Sequence, residues 1–356
     1  MKLSIQHAKY YVVAALGHGY VTGCISAAQV REFLSLKTDI PGNPSMGLII
    51  EPYHGCFFDQ GYMILYKSCI DLGADRKDSV FTHVLIVPED EAVLVDQLRS
   101  LYELLCDEVD KSPSEKPFEF LIGEDSDFET PPTMAFQMLS DLLQSEGEAP
   151  QVLFSGDSDE YIQAFCYLWQ QVSPMWRSQL SYGLVLSEER NSYVISVTPT
   201  GNHLLGMADK SISENSQNLV LSPAARWLLQ KENDFGPFIE KLGLQPASFP
   251  ELRSIESAFL LYNRKDGESL IHLSRYLGKR TPAPEAGLKI KLEIEQFLQA
   301  FLPGKDFRFW RKIRNLIFNA FTRLRQICEK GLVEKTTETL CLERKDRRFV
   351  LENAID

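Results

Sequence analysis

The spacing of hydrophobic positions changes along this chain of 356 residues. Up to residue 88, short runs rich in β-branched and aromatic side chains are punctuated by Gly and Pro at 9–15, 46–50, 62–68 and 79–87. That texture predicts β-strands. In the last run, alternation sets Phe81, His83, Leu85 and Val87 on one face and Val80, Thr82, Val84 and Ile86 on the other. Pro88-Glu89-Asp90-Glu91 then has the composition of a helix first turn, and Val93, Leu94, Leu98, Leu101, Leu104 and Leu105 recur at helical spacing, so a strand hands over to one helix. Residues 111–132, rich in Pro and acids, read as an exposed acidic loop or lid.

Pro131-Pro132 opens a helix to about Leu143, and 152–154 is a short buried strand. Ser155-Gly156-Asp157-Ser158-Asp159 caps the next helix, 160–171. Two alternating runs, 180–186 and 193–197, flank Glu188-Glu189-Arg190-Asn191 and predict a hairpin. From 206 onward the pattern is helical, with helices expected at 222–231, 234–242, 249–262, 268–277, 286–301 and 306–330. In the last, Phe309, Ile313, Ile317, Ala320, Leu324 and Ile327 form one apolar face while Arg308, Arg311, Lys312 and Arg323 lie on others.

The reading is therefore α+β: a mixed, β-rich N-terminal domain with flanking helices, then a helical domain. The first domain spans 1–205, divided into a β-rich part (1–88), an acidic helix and loop (89–150) and a strand-helix-hairpin part (151–205). The second spans 206–356 and contains the basic amphipathic helix 306–330.

A content of 44% hydrophobic and 24% charged residues belongs to a soluble globular protein and excludes disorder as the default. The apolar run 11–16 reads as a buried strand, not a signal segment, because His7 and Lys9 break the apolar stretch upstream of it and Gly17-His18-Gly19 closes it with no small-residue cleavage pattern. No stretch reaches the roughly 18 apolar residues of a membrane span. Seven cysteines, an odd number without C-x-x-C pairs, fit reduced thiols and a cytoplasmic protein.

Charge is uneven. The chain carries a net charge of -12, yet residues 89–160 hold twenty acids against three bases and residues 305–348 hold thirteen bases against six acids. Such asymmetry points to regions that face each other or face different charged partners. The acidic whole argues against indiscriminate nucleic-acid binding.

His18, His54, Cys56 and His83 are the residues whose types suit a metal or a Cys/His nucleophile pair, with Cys56 activated by His83 or His18 and Asp39 orienting the base. They lack the close paired spacing of structural zinc motifs, and neither H-E-x-x-H nor a P-loop accompanies them. The favoured explanation of His18 and His83 is burial with satisfied hydrogen bonds, for His83 to a backbone carbonyl, Asp39 or Tyr53. No metal or cofactor is expected. For interaction, the candidates are Arg308, Arg311, Lys312, Arg314 and Arg323. With Phe307, Phe309 and Trp310 nearby they would suit a protein partner, a nucleic-acid backbone or an anionic membrane surface.

Within the first 90 residues, Gly17-His18-Gly19-Tyr20, Thr38-Asp39-Ile40-Pro41-Gly42, Glu51-Pro52-Tyr53-His54-Gly55 and Phe81-Thr82-His83 follow in order. This block resembles the N-terminal region of the GTPase-associated proteins of bacterial conflict (antiphage) systems. Ser173-Pro174-Met175-Trp176-Arg177 running into Leu180-Ser181-Tyr182-Gly183 resembles a later proline-aromatic-arginine step of the same family. The sequence departs from that pattern in having no arginine directly after Gly17-His18. The resemblance implies a non-enzymatic adaptor or scaffold in a defence system, acting on a GTPase or effector through protein contact. The alternatives are a nucleic-acid-binding module using the basic helix, or a Cys/His hydrolase.

Overall fold

The protein is described from a computed structural model covering residues 2–13, 17–24, 50–74, 79–113, 116–122, 133–145, 151–186, 192–199, 221–281 and 287–301. Among these residues nine strands form a mixed sheet: β1 (Lys2–Val13), β2 (Gly17–Gly23), β3 (Tyr53–Asp59), β4 (Tyr62–Ile70), β5 (Val80–Pro88), β6 (Phe118–Leu121), β7 (Val152–Ser155), β8 (Tyr182–Leu184) and β9 (Ile195–Thr198). The order is β2-β1-β5-β4-β3-β8-β9-β7, and β6 also pairs with β1. Helices among the described residues are α1 (Glu89–Ala92), α2 (Leu98–Tyr102), α3 (Thr133–Gln144), α4 (Ser158–Gln171), α5 (Pro174–Arg177), α6 (Pro223–Leu228), α7 (Phe235–Leu242), α8 (Phe249–Arg264), α9 (Gly267–Arg280) and α10 (Leu288–Phe301). The class is α+β, with a helical C-terminal region.

The chain forms two compact units. The first comprises 1–233 together with 246–253, and the second comprises 234–245 and 254–356, so α6 belongs with the sheet. The expected boundary at 205/206 falls among residues outside the described set, as does the basic helix 306–330.

Alternation governs the sheet. On one face Ala8, Tyr10, Tyr53, Phe57, Ile64, Tyr66, Val80, Val84 and Ile86 pack into a buried cluster with Leu184, Val185 and Tyr193. Tyr66 and Tyr193 join their hydroxyls at 2.7 Å. Gly55 makes this arrangement possible, because a Cβ there would stand 2.2 Å from the Tyr66 ring. The opposite face carries His54, Cys56, Phe58 and His83, and α4 covers part of it by stacking Trp169 on Phe58 at 6.1 Å. Local signals at the helix entries are used as expected: the Asp157 carboxylate accepts from the Asp159 N–H at the start of α4, and the Ser222 hydroxyl accepts from Ala225 N–H at the start of α6.

Three expectations need correction. The expected helix after Pro88 breaks into α1 and α2. Val93 and Val95 carbonyls, which a continuous helix would bond to N–H groups four residues on, are claimed instead by Arg177 Nη1 at 2.8 Å and Trp169 Nε1 at 2.7 Å. The expected acidic loop contains a packed element, since β6 pairs in antiparallel register with β1, Leu3 opposite Phe120. The expected hairpin is a parallel pair, Tyr182 opposite Ile195 and Leu184 opposite Val197. β9 lies between β8 and β7 and is parallel to both, so two ladders outweigh the local turn signal.

The proline-aromatic-arginine step has a structural purpose. Arg177, with a side chain only 3% exposed, donates to the carbonyls of Trp169, Gln170 and Val93 and pairs with Asp96, tying the end of α4 to the segment between α1 and α2. Each of those contacts answers a donor that burial would otherwise leave unsatisfied.

In the second unit, Phe238 of α7 meets Phe259 and Tyr262 of α8, each at 5.3 Å. Above this aromatic contact, Lys241 donates to Glu293 of α10 at 3.1 Å, and the Tyr262 hydroxyl donates to the other carboxylate oxygen.

Candidate functional site

Strand register brings together residues far apart in sequence. His54 on β3 lies opposite Lys67 on β4, Lys67 opposite His83 on β5, His83 opposite Lys9 on β1, and Lys9 opposite Thr22 on β2. Residues opposite one another in register share a face. The result is one polar row across five strands, about 19 Å long at the usual interstrand spacing. The segment after α2 supplies the counter-charges: Asp110 takes Lys9, and Asp107 takes Lys67. Lys9 is the more deeply placed, its side chain 4% exposed, and its ammonium also donates to the Ser112 carbonyl at 3.2 Å. Asp110 accepts from Lys9 and from the Ser112 hydroxyl and N–H, and these hydrogen bonds, Lys9 first, hold its carboxyl far below the usual carboxylate range.

Beside Lys9 on the same face of β1 stands His7, fully buried. Its Nδ1 lies 3.2 Å from His83 Nε2, and its Nε2 lies 2.9 Å from the Lys116 carbonyl oxygen. The backbone N–H of Cys106 donates to His83 Nδ1 at 3.0 Å. These partners assign the protons. A backbone N–H requires an unprotonated His83 Nδ1, so the His83 proton is on Nε2 and is donated to His7 Nδ1. His7 in turn carries its proton on Nε2 and donates it to the Lys116 carbonyl. Both rings are neutral. Burial, reinforced by the charge of Lys9, depresses both imidazoles, and for His83, where the His7 ring adds to the effect, the value falls to about 3.

The residues singled out in the sequence occupy different places. His83 sits in this row, but its partners are His7 and the Cys106 N–H, not Tyr53, which packs on the opposite face against Tyr66. His54 is at the far end of the row, edge-on to Tyr102 at 5.1 Å and pushed down to about 4 by burial and then by Lys67. Cys56 is completely buried and faces Leu65 and Tyr182, and burial raises its thiol well above the ordinary range. Two strands and two residues separate Cys56 from His83, which puts their Cα atoms about 12 Å apart. No nucleophile and base are joined there. His18 lies on β2 opposite Val12. Asp39 and the arginines and lysine at 308, 311, 312, 314 and 323 lie outside the described residues. Among the described residues, no group of three or more His, Cys, Asp or Glu is placed to hold a metal ion.

Sequence reasoning passed over His7, Lys9, Cys106 and Asp110. The signal for two of them was present, since His7-x-Lys9 alternates within a strand and puts two polar side chains on one face.

All five row residues fall in a stretch with a recognisable pattern. Residues 6–105 match the family model of GTPase-associated protein 1, N-terminal domain type 1. The likeness to the GTPase-associated proteins is thus established over that stretch. The matched region holds β2 to β5, all of β1 but its first four residues, and α1 and α2, and it ends one residue before Cys106, whose segment caps the row. No curated protein and no solved structure matches the chain significantly.

Proposed function

We propose that the protein is a non-enzymatic adaptor of a bacterial antiphage defence system, engaging a GTPase or an effector through protein contact in the cytoplasm. The observation that carries this reading is the match of residues 6–105 to a GTPase-associated domain. The chemistry of the polar row supports it. Acid–base catalysis needs a group free to take or give a proton near the working pH, whereas His7 and His83 are neutral and have both ring nitrogens engaged. A nucleophilic Cys56 would need an exposed, lowered thiol, and it has neither. Among the described residues no helix is long and apolar enough to cross a membrane.

The test is affinity purification of the tagged protein from its host, with mass spectrometry and a nucleic-acid stain of the eluate. The proposal expects a GTPase or an effector in stoichiometric amount, lost when Arg308, Arg311, Lys312, Arg314 and Arg323 are changed to Glu. Nuclease-sensitive nucleic acid without a protein partner would replace it by the nucleic-acid reading, for which the thirteen bases in 305–348 are the motive.

A further inference from the structure

A second feature lies at the end of β4. Ile70, Asp71, Leu72, Gly73, Val109 and Lys111 line a hollow of about 440 Å³. Leu72 is 93% exposed and Val109 is 38% exposed, so its rim is apolar and open. Its floor is ionic. The Asp71 side chain is 2% exposed, with Oδ1 accepting from the Gly73 N–H at 3.2 Å. Oδ2 is buried without a hydrogen bond of regular geometry, and the Lys111 ammonium stands 2.7 Å from it. That ammonium also lies 5.6 Å from the centre of the Tyr11 ring. Lys111 itself is about one-third exposed.

A buried carboxylate beside an aromatic face is the chemistry that recognises a cation, combining charge pairing with the attraction of a ring for positive charge. Here the chain fills that place with its own long lysine, about one-third exposed. The stretch 89–160, which supplies Val109 and Lys111, has twenty acids against three bases and so draws basic partners and repels acidic ones. We propose that the hollow is a docking pocket for an arginine or lysine side chain of a protein partner, flanked in that partner by an apolar residue that packs on Leu72 and Val109. Lys111 is the internal stand-in and moves aside toward solvent when the partner's cation reaches Asp71. The proposal refines the adaptor reading by naming the chemistry of the partner segment, and in that respect rests on it.

The experiment uses the full chain with labelled leucine and isoleucine methyl groups, titrated with N-acetyl-Leu-Arg-Leu amide and with the same peptide carrying citrulline, which keeps the shape and loses the charge. The proposal expects saturable shifts at Leu72 and Ile70 with the arginine peptide only, binding tightened about threefold or more by Lys111→Ala, and weakened about tenfold or more by Asp71→Asn, which removes a charge-assisted pair. Leu72→Lys, a change at a position 93% exposed that removes the apolar rim and adds a repelling charge, should abolish the shift at Ile70. Equal binding of the citrulline peptide, undiminished binding by Asp71→Asn, or no saturable shift even in Lys111→Ala overturns the pocket. In parallel, the unaltered protein is used to capture partners from its host. Peptide binding without capture of a GTPase or effector counts against the adaptor reading and leaves the pocket standing; capture unaffected by Leu72→Lys and Asp71→Asn counts against the pocket alone.

Discussion

The two compact units solve the same problem, a polar network beside packed aromatics, in opposite ways. In the sheet, His7 and His83 are buried and neutral, and their hydrogen bonds run in one direction from the Cys106 N–H to the Lys116 carbonyl. In the helical unit, Lys241, Glu293 and Tyr262 form a network that keeps its charges, with Lys241 and Glu293 each more than a third exposed. The contrast shows what burial decides. An enclosed group must be either neutral with both nitrogens bonded, as the two histidines are, or paired, as Lys9 is with Asp110, whereas a partly solvated one keeps its charge at modest cost.

The sharpest way to break the contrast is His83→Leu, which removes the acceptor of the Cys106 N–H and the donor to His7 Nδ1 in a closed site. Urea unfolding should show a loss of about 3 kcal/mol, since each stranded buried group costs about 1–3 kcal/mol. A change under half a kcal/mol would show that the row is not closed.

Acid separates the units next. Below pH 6.5 the unfolded chain protonates its histidines, while folded His83 stays neutral down to about pH 3 and His54 to about pH 4, so unfolding takes up protons. Stability from these groups is therefore complete above pH 6.5 and falls as pH drops toward 3, by up to about 1.4 kcal/mol per pH unit for each histidine held neutral. Glu293 behaves otherwise. Burial opposes its charge, but the Tyr262 and Lys241 hydrogen bonds outweigh that and lower its pKa, so its contribution persists until the pH falls below about 4.5. Hydrogen exchange followed between pH 6.5 and 5 should thus show weakening in β1 and β5 and none attributable to Glu293 in α10. Equal weakening of both would refute the assignment of neutral rings.

A smaller effect is expected from Tyr262→Phe, which removes one hydrogen bond to a half-exposed carboxylate; thermal unfolding should report about 1 kcal/mol. The smallest comes from Asp107→Ala. Although paired with Lys67, Asp107 is 88% exposed, and about 0.5 kcal/mol or less should be lost, decreasing further in high salt. A larger loss would mean that the capping segment depends on this pair.

Much of the architecture was legible in the chain, because the signals concerned are local. Alternation in β5 assigned His83 to its face, Asp157 and Ser222 marked helix entries, and the ordered motifs up to Phe81-Thr82-His83 carried the likeness later found over residues 6–105. What escaped depends on neighbours. The break between α1 and α2 comes from Arg177 and Trp169, more than 70 residues away, competing for carbonyls. β6 was hidden because Phe118 and Phe120 alternate for only four residues amid acids, and pairing with β1 is what stabilises them. The polar row was invisible for the same reason. Each strand contributes one member to the row, and apart from the His7-x-Lys9 pair on β1 only register across five strands brings them together.

The fixed direction of the imidazole chain has a spectroscopic consequence. His7 and His83 must both carry their proton on Nε2, each shielded from solvent and each donated to a defined acceptor. Two slowly exchanging ring protons should therefore stand apart in a nitrogen–proton spectrum, one belonging to β1 and one to β5. They form a pair of resident beacons on one face of the sheet. Any partner that shifts the segment from Cys106 to Lys116 would change their resonances without touching either histidine.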